Sequence, residues 1–225
     1  MVAKLIVQTF IWFGIIGLVL FLAAGTLDWP GAWAYLVEMV ALSLAGGLLL
    51  ARHDPGLLKE RLASPIQKDQ PLADKILLPI LLLFMAGAIV LMAFDAVRFE
   101  WSYVPRWLQV IGGLLLLLSV AFIYRAMREN SFAAPVVKIQ KERGQTVIST
   151  GPYSVVRHPF YTGALVYLVG TSLLLGSWWG LVAVLFVAAL LCVRIGIEER
   201  ALRAGLEGYD DYARRVRYRL IPLVW

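Results

Sequence analysis

The chain is poor in cysteine, histidine and charge. Its single cysteine, Cys192, sits inside an apolar run, which excludes an intramolecular disulfide and any multi-cysteine zinc site and leaves the thiol as packing or lipid-facing filler. No metal is expected. Only 16% of the 225 residues are charged against 60% hydrophobic, and the mean hydropathy of +0.77 excludes an ordinary soluble surface. The formal charge of +6 does not point to nucleic acid, because the basic residues flank apolar segments as topology signals do. No small-residue cleavage site follows the first apolar run, so that run is expected to stay as a span.

What is abundant is apolar sequence of membrane length. Runs near 5–24, 32–51, 76–94, 107–124, 161–175 and 179–193 each approach the roughly 20 residues that cross about 30 Å of hydrocarbon. The expectation is an all-α polytopic membrane bundle of about six transmembrane helices. Only Gly176, Ser177 and Trp178 separate the last two runs, so these form a tight hairpin whose first arm is short or tilted. Alternating the loops puts every Lys and Arg except Arg98 and Arg106 on one side, including Lys4, Arg52, Lys59, Arg61, Lys68 and Lys75. By the positive-inside rule both termini and the long loops are expected in the cytoplasm. Trp29, Trp33, Trp101, Trp107, Trp178 and Trp179 fall on the other side, as an interfacial belt would. Glu38 lies within the second run and needs a partner or the bundle interior, whereas His53 reads as a solvated interfacial residue. Gly46-Gly47 and Gly112-Gly113 read as sites of close helix approach.

The loop from 125 to 156 is too long for a plain connector. Val136-Val137 and Thr146-Val147-Ile148 read as short extended pieces, Gly151-Pro152 makes a turn, and His158 can cap a helix with Pro159 at its first position. A helix over 179–199 rises about 32 Å, so it returns Arg194, Glu198 and Glu199 to the depth of Arg157, His158 and Tyr161. Arg194 and Glu198 stand at i and i+4 on one face. Taken alone, they can be a helix-end ion pair worth about 0.3–0.5 kcal/mol, and Arg157 and His158 can simply snorkel among headgroups. Together they can also hold a small zwitterion, its carboxylate at the helix start and its ammonium at Glu198 or Glu199.

These residues carry a family resemblance. Gly-Pro-Tyr at 151–153, Arg157-His158-Pro159-Phe160-Tyr161, Arg194 with Glu198-Glu199, Tyr209, Tyr212 and the Arg217-Tyr218-Arg219-Leu220-Ile221-Pro222 close resemble the isoprenylcysteine carboxyl methyltransferases and their phospholipid methyltransferase relatives. The likeness runs from about residue 130 onward and does not reach the first helices. It implies S-adenosyl-L-methionine as cofactor, held at a cytoplasmic site without the Gly-x-Gly-x-x-Gly turn of Rossmann enzymes. It assigns Gln145, Thr146, Val147, Ile148, Tyr153, His158, Pro159, Phe160, Tyr161, Glu198 and Glu199 to the cofactor, and Arg194 with Glu198 to catalysis. Family members often carry glutamine shortly after the paired valines; here Lys138 stands there, with Gln140 two residues on. The expected organisation is a four-helix membrane region at 1–124 and a catalytic region at 125–225 made of loop, hairpin and a tyrosine-bearing lid. The acceptor is expected to be lipidic, an isoprenylcysteine carboxylate or a phospholipid amine. A membrane sterol-type reductase using NADPH is the rival enzyme reading, weakened because only Arg200 and Arg203 follow Glu199 closely for a 2′-phosphate. A non-enzymatic membrane protein is the third.

Overall fold

A computed structural model of the chain describes residues 1–67 and 69–225; Lys68, counted above among the loop cations, lies outside them. The helices are α1 (Val2–Ala24), α2 (Pro30–His53), α3 (Pro55–Arg61), α4 (Leu72–Ala93), α5 (Arg106–Glu129), α6 (Pro159–Leu175), α7 (Trp178–Gly205) and α8 (Tyr209–Arg215). A π-helical turn, Phe94–Arg98, continues α4, and no strand occurs among the described residues. Five helices, namely α1, α2, α4 with its π turn, α5 and α7, are long and apolar enough to cross a membrane. The sixth expected span, α6, has 17 residues and at 1.5 Å per residue covers only about 26 Å. Local chemistry sets its ends: Pro159 fixes the first turn without losing a hydrogen bond, and Gly176 stops the helix at φ +84°.

The short helix sits deep against α5. A Cβ on Gly112 would lie 2.4 Å from the Leu174 backbone nitrogen, and one on Gly170 would lie 2.9 Å from the Gly112 carbonyl oxygen. The two backbones therefore touch where side chains would hold them apart, as the glycine pair at 112–113 led one to expect. At the far end of the hairpin the buried Asp95 carboxylate accepts hydrogen bonds from Ser102 Oγ (2.7 Å), Ser177 Oγ (2.6 Å) and the Trp179 N–H (3.1 Å). Ser177 Oγ in turn accepts from Gly180 N–H and caps α7. One acid thus fixes the turn between α6 and α7 to the end of α4.

A second buried acid does the same at the opposite end. Asp74 in the first turn of α4 is fully buried, pairs with Arg194 of α7 at 2.9 Å, and accepts from Gln70 Nε2 (2.7 Å) and from the Val137 N–H (3.0 Å). Arg194 also donates to the Pro135 carbonyl at 2.7 Å. One sequence expectation changes here. Arg194 pairs with Asp74 across helices instead of with Glu198 along its own. The piece at Val136-Val137 is held to α4, whose acid takes its backbone donor. In addition, α5 runs to Glu129, with Arg125 and Glu129 ion-paired on its last turn, so the connecting loop begins at Asn130.

Removing Arg194 leaves the Asp74 carboxylate buried without a cation, so Arg194→Ala should destabilise the protein by about 3–5 kcal/mol. The Asp74→Ala/Arg194→Ala pair should cost clearly less than the sum of the single losses. Thermal unfolding in detergent checks this, and additive losses would show that the two side chains do not interact. By the same measurement, Asp95→Ala should cost about 1–3 kcal/mol through the donors it strands at the hairpin turn.

Candidate active site

Three distant segments meet at one carboxylate. Glu199 on α7 is buried, receives Arg157 Nε at 2.7 Å and Arg219 Nε at 3.1 Å, and lies 3.3 Å from His158 Nε2. Arg157 and His158 also donate their backbone N–H groups to the carbonyls of Tyr218 and Arg219, both at 2.9 Å. Arg157 Nη1 reaches the Val216 and Arg217 carbonyls at 2.8 and 2.9 Å. The start of α6, the end of α7 and the C-terminal tail are thereby one unit. The tail is folded down by backbone hydrogen bonds, and Thr162 Oγ1 adds another to the Leu220 carbonyl at 2.8 Å.

A cleft opens beside this unit. Of the sequence-predicted cofactor residues, Gln145, Thr146, Val147, Ile148, Tyr153, His158, Phe160, Tyr161 and Glu198 all line it. The far wall comes from Tyr209 and Tyr212 of α8, both buried, with Ala201, Leu202 and Leu206 from the end of α7. Tyr212 donates to the Tyr153 carbonyl at 2.8 Å, which fastens α8 to the turn at 151–154. Glu198 is the available acid: it is half-buried, and one oxygen accepts from Tyr161 Oη at 2.6 Å while the other lies 3.9 Å from His158 Nδ1.

Three predicted residues do not reach the cleft. Pro159 shapes the start of α6 but is not in the lining. Glu199 is taken up by Arg157, His158 and Arg219, which leaves it neither a free anion for an ammonium nor a base. Arg194 lies behind Tyr161, with its guanidinium 5.7 Å from the ring centroid and its charge met by Asp74. The helix start offers little to an anion, because Pro159 has no N–H and the N–H groups of Tyr161 and Thr162 already donate to the His158 carbonyl. Lys138 lines the cleft but pairs with Glu60 at 2.6 Å, and Gln140 is fully buried, donating to the Phe132 carbonyl and accepting from Arg143. Gln140 therefore holds the loop in shape, and Lys138 is the one facing the cleft.

Sequence reading missed Asp74 and Gln70, which sit in a charged loop that resembles any topology signal. It also missed the apolar lining at Phe132, Val136 and Ile139, whose pattern matches any packed loop. Burial pushes the Tyr153 phenol up to about 12, with Asn130 and Arg61 opposing the rise and Glu198 adding to it. Burial, followed by the nearby glutamates, also raises Tyr209, and burial raises Tyr212. These phenols stay protonated near neutrality, so they serve as donors and stacking surfaces and not as bases. The Tyr209 hydroxyl is buried with no hydrogen-bond partner among the described residues. A buried, unpaired hydroxyl in a cleft wall is the kind of group a ligand satisfies.

Comparison with known proteins supports the same region. Residues 107–206 match the phospholipid methyltransferase family. The chain is 36% identical over 111 residues to a protein-S-isoprenylcysteine O-methyltransferase of Saccharomyces cerevisiae, covering 48% of this chain and 46% of that protein. A probable protein-S-isoprenylcysteine O-methyltransferase of Oryza sativa subsp. indica is 33% identical over 118 residues, 51% of this chain and 58% of that one. Protein-S-isoprenylcysteine O-methyltransferase B of Arabidopsis thaliana is 32% identical over 83 residues, 36% of this chain and 42% of that one. The chain thus spans about half the length of the curated relatives it matches. The family match over residues 107–206 takes in the Arg157-to-Tyr161 motif and the Glu198-Glu199 pair, so over that stretch the chain resembles the phospholipid methyltransferases.

Proposed function

We propose that this protein is an integral-membrane methyltransferase that takes S-adenosyl-L-methionine at the cytoplasmic face and methylates a lipidic acceptor carrying a carboxylate, as an isoprenylcysteine does. The observation that carries the reading is the cleft itself: nine of the motif residues converge on it with one available acid, Glu198, and one unpartnered buried hydroxyl, Tyr209. The donor set suits the cofactor. Glu198 offers a carboxylate to an ammonium, Tyr209 a hydroxyl to a polar edge, and Val147, Ile148, Leu202 and Leu206 an apolar bed for a nucleoside. When bound, S-adenosylmethionine supplies an electrophilic methyl group on a sulfonium.

The chain's own residues then have to position and to exclude water. An in-line displacement by a carboxylate needs no proton removed, so orientation and a dry cleft are the main levers. Tyr161 holds Glu198 by its hydroxyl, and the Arg157–Glu199–Arg219 cluster fixes the helix ends that carry both. Arg194 acts from behind Tyr161, as a support for the wall that Pro135 and Val137 begin. The positive loops and the tryptophan-bearing ends favour a cytoplasmic site and cytoplasmic termini.

The match to phospholipid methyltransferases favours a second acceptor, a phospholipid amine. An ammonium acceptor must first lose a proton, and with Glu199 taken up by Arg157, Arg219 and His158, Glu198 is the base this cleft offers. The two acceptors separate by product. Purified protein in lipid nanodiscs, supplied with methyl-labelled S-adenosylmethionine, S-farnesyl cysteine and phosphatidylethanolamine, should place the label in a base-labile ester of the former. Glu198→Ala should lower the rate by about 100-fold or more without lowering the melting temperature. Label found on the phospholipid amine would favour the second acceptor, and label in neither lipid would contradict the methyltransferase reading.

A further inference from the structure

The acceptor's anionic end needs a cation, and the arginine that the family resemblance assigns to catalysis, Arg194, already has its charge met by the buried Asp74. The other cations near the cleft are committed in the same way. Arg157 and Arg219 share Glu199, Lys138 holds Glu60, and Arg143 lies 3.9 Å from Asp54 while donating to the Ser131 carbonyl and to Gln140. One guanidinium stands apart. Arg61, at the end of the short helix α3, is in none of the ion pairs found among the described residues. Its hydrogen bond goes from Nη1 to the Ala133 carbonyl at 3.0 Å, and its planar group lies 4.8 Å over the centroid of the Phe160 ring.

Both of those neighbours are cleft-lining residues, as is Tyr153, whose phenol feels the Arg61 charge. The position of Arg61 is fixed from below. Leu57 and Leu58 of α3 are buried in a cluster with Leu5 and Leu50, against which Tyr124, Met127 and Ala133 pack. Asp54 caps α3 by accepting from the Leu57 N–H at 2.8 Å. The acids of this element, Asp54 and Glu60, are matched to Arg143 and Lys138 of the cleft loop, so α3 is clamped to the loop while Arg61 enters none of these pairs.

We propose that Arg61 binds the carboxylate of the lipidic acceptor, and so sets acceptor specificity from outside the region that matches the family. A guanidinium with one N–H spent on a carbonyl keeps a planar fork of donors that suits a carboxylate bidentately. Stacking holds the plane of that fork against Phe160, a residue of the cleft wall. Burial lowers the Arg61 pKa to about 10, which leaves it cationic near neutrality but short of solvation, a condition an incoming anion relieves. The helix that carries it lies where the connecting loop meets the apolar helix ends, so a headgroup can reach Arg61 with its tail still among the helices.

The inference rests on the acceptor class proposed above, and binding tests it without turnover. Radiolabelled S-farnesyl cysteine and its carboxamide are titrated into the purified protein in detergent. The unmodified protein should bind the carboxylate about 10-fold or more tightly than the amide. Arg61→Gln, which can still donate to the Ala133 carbonyl, should bring that ratio close to one while leaving S-adenosylhomocysteine affinity unchanged, and Arg61→Lys should keep part of it. A ratio near one in the unmodified protein, or a ratio that survives in Arg61→Gln, overturns the proposal. An equal fall in S-adenosylhomocysteine affinity also overturns it, by showing a structural role. Arg61-dependent capture of phosphatidylethanolamine in place of S-farnesyl cysteine would overturn the carboxylate and assign a phosphate. Absence of methyl transfer with the ratio intact would count against the enzyme reading and leave this one standing.

Discussion

The buried carboxylate of Glu199 is the constraint on which the cleft-bearing end of the molecule depends. It pairs with Arg157 and Arg219 and lies against His158, which come from the loop before α6, the tail and the start of α6. Arg157 left without Glu199 would be a buried, uncompensated charge, a far more costly state than the loss of an exposed ion pair on α8. Because the tail also receives the backbone N–H groups of Arg157 and His158, the carboxylate and the backbone act in the same direction. The cleft follows from that closure: α8 and its tyrosines can form a wall only where the tail has been brought back to the start of α6.

Charge pairing across elements organises the rest in a similar way. Asp95 fixes the α6–α7 turn at one end of the hairpin, and Asp74 fixes α7 and the Val137 loop at the other. Both acids lie on α4 or its π turn, outside the family-matched region. The N-terminal region therefore does more than anchor the chain. It supplies the acid that neutralises Arg194 and, through α3, a guanidinium that enters no ion pair among the described residues. The proposed methyl transfer needs positioning and dryness more than covalent assistance, and rigid buried pairs are a physical means to both.

Most of the architecture was legible in the sequence because membrane length and charge asymmetry are coarse, additive signals. Length alone made α1, α2, α4, α5 and α7 evident, and Pro159 and Gly176 bounded the short α6. The cleft was legible where a motif carried it, at Gln145 to Ile148, at Tyr153 and at Glu198, since those residues are near each other in sequence or one helix length apart. What was not legible was which charge meets which. Arg194 and Glu198 at i and i+4 looked like partners, yet Asp74, some 120 residues away, is better placed and has no helical pattern to announce it. Likewise Glu198 and Glu199 are equal in sequence. A rotation of about 100° per residue sends one into the cleft and the other into the cluster of cations. Arg61 was indistinguishable from any loop cation, because being unpaired is a property of the folded surroundings and not of the residue.

The central claim is that the cleft lined by Tyr153, Glu198, Tyr209 and Tyr212 is a site for S-adenosylmethionine, and binding of its product analogue tests that most directly. Isothermal calorimetry on the purified protein should show saturable binding of S-adenosylhomocysteine, weakened by Glu198→Ala and by Tyr209→Phe, with no heat from NADPH. Binding of NADPH in place of S-adenosylhomocysteine, or S-adenosylhomocysteine binding indifferent to both substitutions, would contradict it.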